Sequence, residues 1–97
     1  MTDFYVKTPD FDGARVLVYF KNLNGLMPAV ATGKGFKVGK VPPNEKVCLI
    51  AVGRDGDDFY YAKTDFTIVK KATVDMKMEK VSYDDMKKMF TISGYEK

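Results

Sequence analysis

The sequence predicts a mainly β fold, a sandwich of about seven antiparallel strands closed by a short C-terminal α-helix. Two patterns lead there. From Lys46 to Val81 apolar and polar residues alternate at period two, interrupted only by Gly/Asp turn chemistry, which is the signature of strands with one face in a core and the other in water. After Ser82 the spacing becomes helical, with Tyr83, Met86, Met89 and Phe90 forming one apolar series. The 97 residues suit a single domain spanning 1–97, because either half alone would bury too little surface.

Each element has a local reason. Phe4-Tyr5-Val6-Lys7 reads as a short edge strand, stopped by the turn-like clusters Thr8-Pro9-Asp10 and Asp12-Gly13. Ala14 to Phe20 is the first firm strand. Val16, Val18 and Phe20 take one face of it and Arg15, Leu17 and Tyr19 the other, so its second face is expected to be partly covered. Asn22 to Pro28 reads as a loop, since Asn24-Gly25 suits a tight turn and Pro28 opposes a central strand. Val30 to Thr32 pairs briefly before Gly33-Lys34-Gly35, and Phe36 and Val38 then alternate with Lys37 and Gly39.

Pro42-Pro43-Asn44-Glu45 forces a connection, because two prolines remove donors and fix φ. Lys46 to Gly53 is the most apolar stretch and the expected central strand, buried on both faces. Asp55-Gly56-Asp57-Asp58 turns the chain back into Phe59 to Lys70, where Tyr60, Ala62, Phe66 and Ile68 share one parity. Lys70-Lys71 is another turn. Ala72 to Val81 alternates most cleanly, with Val74, Met76 and Met78 inward and Asp75, Lys77 and Glu79 outward. Ser82 is the expected N-cap of a helix over about 82–92, with Asp85 at N3 and acidic residues in the first turn. Its apolar series is expected to pack Met86, Met89 and Phe90 over an open end or edge. The predicted core is Val16, Val18, Phe36, Val38, Val47, Leu49, Phe66, Ile68, Val74 and Met76.

The segment Gly35-Phe36-Lys37-Val38-Gly39-Lys40-Val41-Pro42-Pro43-Asn44-Glu45-Lys46-Val47-Cys48-Leu49-Ile50-Ala51-Val52 resembles the transthyretin-like, or carboxypeptidase regulatory-like, domains. In that family a glycine, an aromatic and alternating apolar residues lead through a Pro/Gly turn into a long apolar strand. Ala72-Thr73-Val74-Asp75-Met76-Lys77-Met78 is similar to the family's closing strand. The resemblance implies a seven- or eight-stranded antiparallel Greek-key sandwich, transthyretin-like or Ig-like. It also implies a non-catalytic accessory module of a secreted or cell-envelope protein. No functional residue carries over, because such modules share no catalytic motif. The chain departs from the family in lacking a Gly-x-Pro-x-x-Gly-Ala pattern before its first long strand and in adding a helix.

Composition narrows the chemistry. There is no histidine, no tryptophan and one cysteine, so the usual Cys/His partnership and most transition-metal ligand sets cannot be assembled. Cys48 lies in the apolar run Val47 to Val52 and reads as a small buried hydrophobe. The net charge of +3 comes from 16 basic and 13 acidic residues scattered without a block, a solvated surface rather than a basic stripe for nucleic acid. No apolar stretch reaches the roughly 18 to 20 residues of a membrane span and no leader pattern opens the chain, so neither membrane insertion nor an export signal is expected.

The expected function is a non-enzymatic protein-interaction or structural module, with no catalytic residue, no cofactor and no metal. Its binding residues are expected among Lys34, Phe36, Tyr60 and Tyr61. Lys34-Gly35-Phe36 opens like the Lys-Gly-Phe-Gly-Phe motif of base-stacking sheets before Lys37 and Val38 break the pattern. With Tyr19, Tyr60 and Tyr61 it supplies the alternative of a small β-barrel for single-stranded nucleic acid, while flat tyrosines alone would suit sugar rings. Gly33 to Gly39 fits neither Gly-x-Gly-x-x-Gly nor a P-loop. Asp55, Asp57 and Asp58 offer oxygen ligands for a hard cation but lack EF-hand spacing, so a polar turn is the expected role. Asp84 and Asp85 are adjacent on a helix and point apart, which suits capping rather than acid/base work.

Overall fold

The computed structural model describes residues 1–33 and 35–92, and the side chains of all of these except 86 and 89–92. The chain is mainly β, with nine strands and one helix among the described residues: β1 (Thr2–Lys7), β2 (Arg15–Phe20), β3 (Gly25–Pro28), β4 (Val30–Thr32), β5 (Gly35–Val41), β6 (Lys46–Asp55), β7 (Asp58–Thr67), β8 (Thr73–Asp75), β9 (Glu79–Val81) and α1 (Tyr83–Ile92). Three of the strands have only three residues each, and it is through these short pieces that the tally passes the seven or eight expected. Two sheets form, ordered β4-β5-β1-β8 and β3-β2-β6-β7-β9. The second is antiparallel throughout, whereas in the first β1 runs antiparallel to β5 and parallel to β8.

One core joins the sheets. Phe4, Val6, Val38 and Val41 from the first sheet meet Val16, Val18, Phe20, Val47, Leu49, Ala51 and Ala62 from the second, with Ile68 and Met76 completing the cluster. Of the core predicted from sequence, Val16, Val18, Val38, Val47, Leu49, Ile68 and Met76 are fully buried, while Phe36, Phe66 and Val74 pack against the cluster with part of their surface in water. β6 is buried on both faces, as its apolar run requires. Its alternate residues Cys48 and Ile50 join Tyr61 in a second cluster on the outer side of the five-stranded sheet, flanked by Leu17, Tyr19, Val52 and Val81.

Three expectations are corrected by the pairing. The Phe4–Lys7 segment is no edge: β1 lies inside its sheet with β5 on one side and β8 on the other, and Phe4 and Val6 are fully buried. Local alternation looks alike in edge and interior strands, because it reports faces and not neighbours. Asn22 to Pro28 is not all loop: Gly25–Pro28 forms β3, pairing Leu17 with Pro28 and Phe20 with Gly25. Pro28 fits there because β3 is an edge, where a missing N–H leaves no ladder broken on the outward side.

The third correction concerns Ala72 to Val81, which is not one strand. Thr73–Asp75 pairs with β1 in the four-stranded sheet and Glu79–Val81 pairs with β7 in the five-stranded one. The alternation survives the change of sheet because both sheets face the same core: Met76 is buried and Met78 partly so, while Asp75 and Lys77 are exposed.

The turns follow the residue chemistry. Asp55 pairs with Asp58, which leaves Gly56-Asp57 as a two-residue loop with Gly56 at φ 62 in its first position, where a type II′ hairpin favours glycine. Asn24, Asn44 and Lys71 turn their connections at φ 50, 69 and 56. The proline connection is fixed to the sheet by Asn44 N–H donating to Ile68 O and Ile68 N–H donating to Glu45 O, each at 2.9 Å. Ser82 caps α1 as expected, its Oγ accepting the Asp85 N–H at 3.1 Å. The helix lies against β7. Tyr83 remains 54% exposed with its ring 5.6 Å from that of Phe59. The expected packing of Met86, Met89 and Phe90 falls outside the described side chains.

Candidate functional site

A concavity carrying Phe36 lies at one end of the two sheets, between the β1–β2 loop and the β4–β5 hairpin. It is an open depression of about 410 Å³ whose walls include Lys7, Thr8, Phe11, Ala31, Thr32 and Phe36. The loop is built locally: Thr8 Oγ1 donates to Phe11 O at 3.0 Å, the Phe11 N–H donates to Thr8 O at 3.0 Å, and Gly13 takes φ 82. These bonds hold Phe11 over the sheet. Its ring packs 4.9 Å from Tyr60 at an interplanar angle of 48°, and it covers Gly53, whose missing side chain makes the approach possible. Gly53 and Tyr60 are cross-strand partners, so the aromatic fills the space that the glycine leaves beside the tyrosine.

Phe36 and Tyr60 therefore reach the same end of the molecule through Phe11. Phe36 comes from the four-stranded sheet with its ring partly buried against the shared core, and Tyr60 comes from the five-stranded sheet. Tyr61 does not join them. Successive strand residues point to opposite faces, and Tyr61 is 5% exposed in the outer cluster beside Cys48 and Ile50. Burial there pushes its hydroxyl pKa up to about 12 and also raises that of the Cys48 thiol. Lys34 lies outside the described residues. Tyr19 shares the outer face with Tyr61, and its hydroxyl donates to Asn24 Oδ1 at 2.8 Å.

Phe11 is the residue of this depression that sequence reasoning missed. Its signal was indirect: a glycine within an apolar strand marks a place where another group comes close, and Gly53 is such a glycine.

The remaining candidates have structural surroundings. Asp55 and Asp58 are partners at the base of the β6–β7 hairpin, and Asp58 Oδ1 sits 3.3 Å from Lys80 Nζ. Among the described residues no group of three or more acidic or cysteine side chains is placed to hold a metal ion. Gly35 and Gly39 lie in β5, so the glycine-rich stretch leads along a strand and not into a helix N-terminus. The walls of the depression carry Lys7, Asp12, threonine hydroxyls, peptide groups and two aromatic rings, a set suited to holding an apolar group beside hydrogen-bonding backbone. No helix is long and apolar enough to cross a membrane among the described residues. Compared with models of protein families, with curated proteins and with solved structures, the chain gives no significant match.

Proposed function

We propose that the chain is a non-enzymatic protein-interaction module, a sandwich of Greek-key, transthyretin-like type that receives an apolar side chain of a protein partner in the Phe11–Phe36 depression. The observation that carries this reading is the placement of two aromatic rings from different elements around an open hollow that small residues, threonines, Lys7 and Asp12 otherwise line. Such a wall binds through burial of apolar surface and backbone hydrogen bonds. The transthyretin-like resemblance of residues 35–52 supports the topology and, with it, a secreted or cell-envelope setting.

Peptides selected against the protein from a displayed library test the reading by NMR titration. Binding that shifts the amides of residues 8–14 and 31–36 and is lost in Phe36→Ser is the expected result. Shifts confined to other surfaces would contradict it. So would salt-dependent binding of a labelled single-stranded oligonucleotide or a glycan-array signal in place of peptide binding, or turnover of a hydrolase substrate abolished by one polar substitution.

A further inference from the structure

The β7 edge carries an inference that does not depend on the Phe11–Phe36 site. β9 pairs only with Phe59, Tyr60 and Tyr61, although β7 continues to Thr67. Among the described residues no strand pairs with Ala62–Thr67 on the side away from β6. Beside this edge lies an open slot of about 500 Å³ between Ala62, Lys63 and Thr64 on one side and Asp75, Met76 and Lys77 on the other. The chain crosses there from β8 of the other sheet to β9. An open strand edge is a template for another strand, and the side chains along this one specify which.

We infer that Ala62–Phe66 of β7 pairs antiparallel with the same segment of a second copy of this chain, centred on Thr64, between the two β9 strands that occupy the rest of each edge. The register follows from faces and charges. Ala62 and Phe66 face the shared core, while Lys63 and Asp65 are exposed on the outer face. Opposite residues of an antiparallel pair share a face, so a two-fold pairing of this segment must centre on one residue. Centring on Lys63 sets lysine against lysine, and centring on Asp65 sets aspartate against aspartate. Centring on Thr64 places Lys63 opposite the second copy's Asp65 and Asp65 opposite its Lys63. It also places Ala62 opposite Phe66 on the core face and threonine opposite threonine, and the lysine–aspartate and threonine–threonine pairs are favourable across strands.

The surrounding charges are compatible with this arrangement. Asp65 Oδ1 is 2.7 Å from Lys21 Nζ, a contact that keeps the carboxylate on the outer face. Asp75, Lys77 and Glu79 beside the slot are of mixed sign. The interface is isologous, the commonest symmetry of soluble homodimers.

Sedimentation equilibrium of the wild-type chain and two charge variants tests the inference, with circular dichroism confirming that each variant is folded. The wild type associates reversibly to a dimer. Lys63→Asp sets aspartate against aspartate and Asp65→Lys sets lysine against lysine, so each alone associates about tenfold more weakly or worse. Mixed in equal amounts, the two restore both opposite-charge pairs and form a heterodimer. A wild type that stays monomeric up to its solubility limit overturns the inference, as do single variants that dimerise like the wild type or a mixture that does not associate. Thr64→Cys supplies a reading free of charge changes: the two sulfurs on the axis form an intermolecular disulfide under mild oxidation. Failure to cross-link there while Thr73→Cys does so also overturns it.

Discussion

Asp3 Oδ1 accepts the backbone N–H of Lys40 at 3.0 Å, across the one irregularity in the β1–β5 ladder. Between Thr2 and Phe4 the partner strand advances from Val41 to Val38, so β5 carries an extra residue, and Lys40 takes φ 58 to accommodate it. The side chain of β1 thus closes a bulge in β5 by satisfying the donor that the ladder leaves open. Lys37 Nζ approaches Asp3 Oδ2 at 3.6 Å on the same face.

The first prediction concerns acid stability. The Lys40 N–H hydrogen bond, with Lys37 nearby, lowers the Asp3 pKa below its ordinary 3.8, and the Lys21 contact lowers that of Asp65 in the same way. A carboxylate with a depressed folded-state pKa adds stability above the ordinary value and loses it as pH falls through the lowered one. Urea midpoints are therefore expected to fall below pH 3.8 in the wild type. Asp3→Asn should show a lower midpoint at neutral pH and a shallower acid decline, and an identical decline in the two proteins would count against the bulge clamp.

Gly35 is a second point of constraint. It sits at φ 149, and a Cβ there would lie 2.7 Å from the Val6 carbonyl oxygen. Gly35→Ala should cost about 1–3 kcal/mol. Gly33, where an added Cβ meets nothing within 4 Å, should tolerate alanine far better. Chemical denaturation of the two variants side by side checks the difference.

Burial of β6 on both faces predicts that neighbouring truncations are both severe. Leu49→Ala empties the shared core and Ile50→Ala empties the outer cluster, and both positions have no exposed surface. Each should lose about 2–5 kcal/mol. A near-neutral Ile50→Ala would mean that the outer cluster is not packed in solution.

The fourth prediction ties Phe11 to Gly53. An alanine Cβ at Gly53 would overlap the Phe11 ring and displace it from Tyr60. Gly53→Ala should destabilise by about 1–3 kcal/mol and abolish the ring-current shifts between Phe11 and Tyr60. Retention of those shifts would contradict the proposed filling of the glycine gap.

What could be read in the sequence depended on whether a signal was local. The uninterrupted apolar run of β6 announced burial on both faces, and Ser82 with Asp85 announced the helix start, since both patterns complete themselves within a few residues. The interior place of β1 was hidden, because Phe4 and Val6 alternate just as an edge strand would and only the distant β5 and β8 decide its neighbours. The break at Met76–Met78 was hidden for a related reason: inward and outward positions continue unchanged when the chain passes between sheets that share a core. At the candidate site, Phe36 and Tyr60 were found as aromatics on strands. Phe11 escaped notice because its position is fixed by a loop and by a glycine more than forty residues further along the chain.

The central structural claim is that the chain changes sheet between β8 and β9 and thereby ties the two layers together. Interstrand NOEs test it most directly. The account predicts parallel contacts of Tyr5 and Val6 with Thr73 and Val74, slow exchange of the Tyr5 and Met76 amides bonded to Ala72 O and Lys7 O at 2.8 Å, and antiparallel contacts of Tyr60 with Lys80. A continuous antiparallel ladder from Thr73 to Val81 along β7, with no contact to β1, would contradict it.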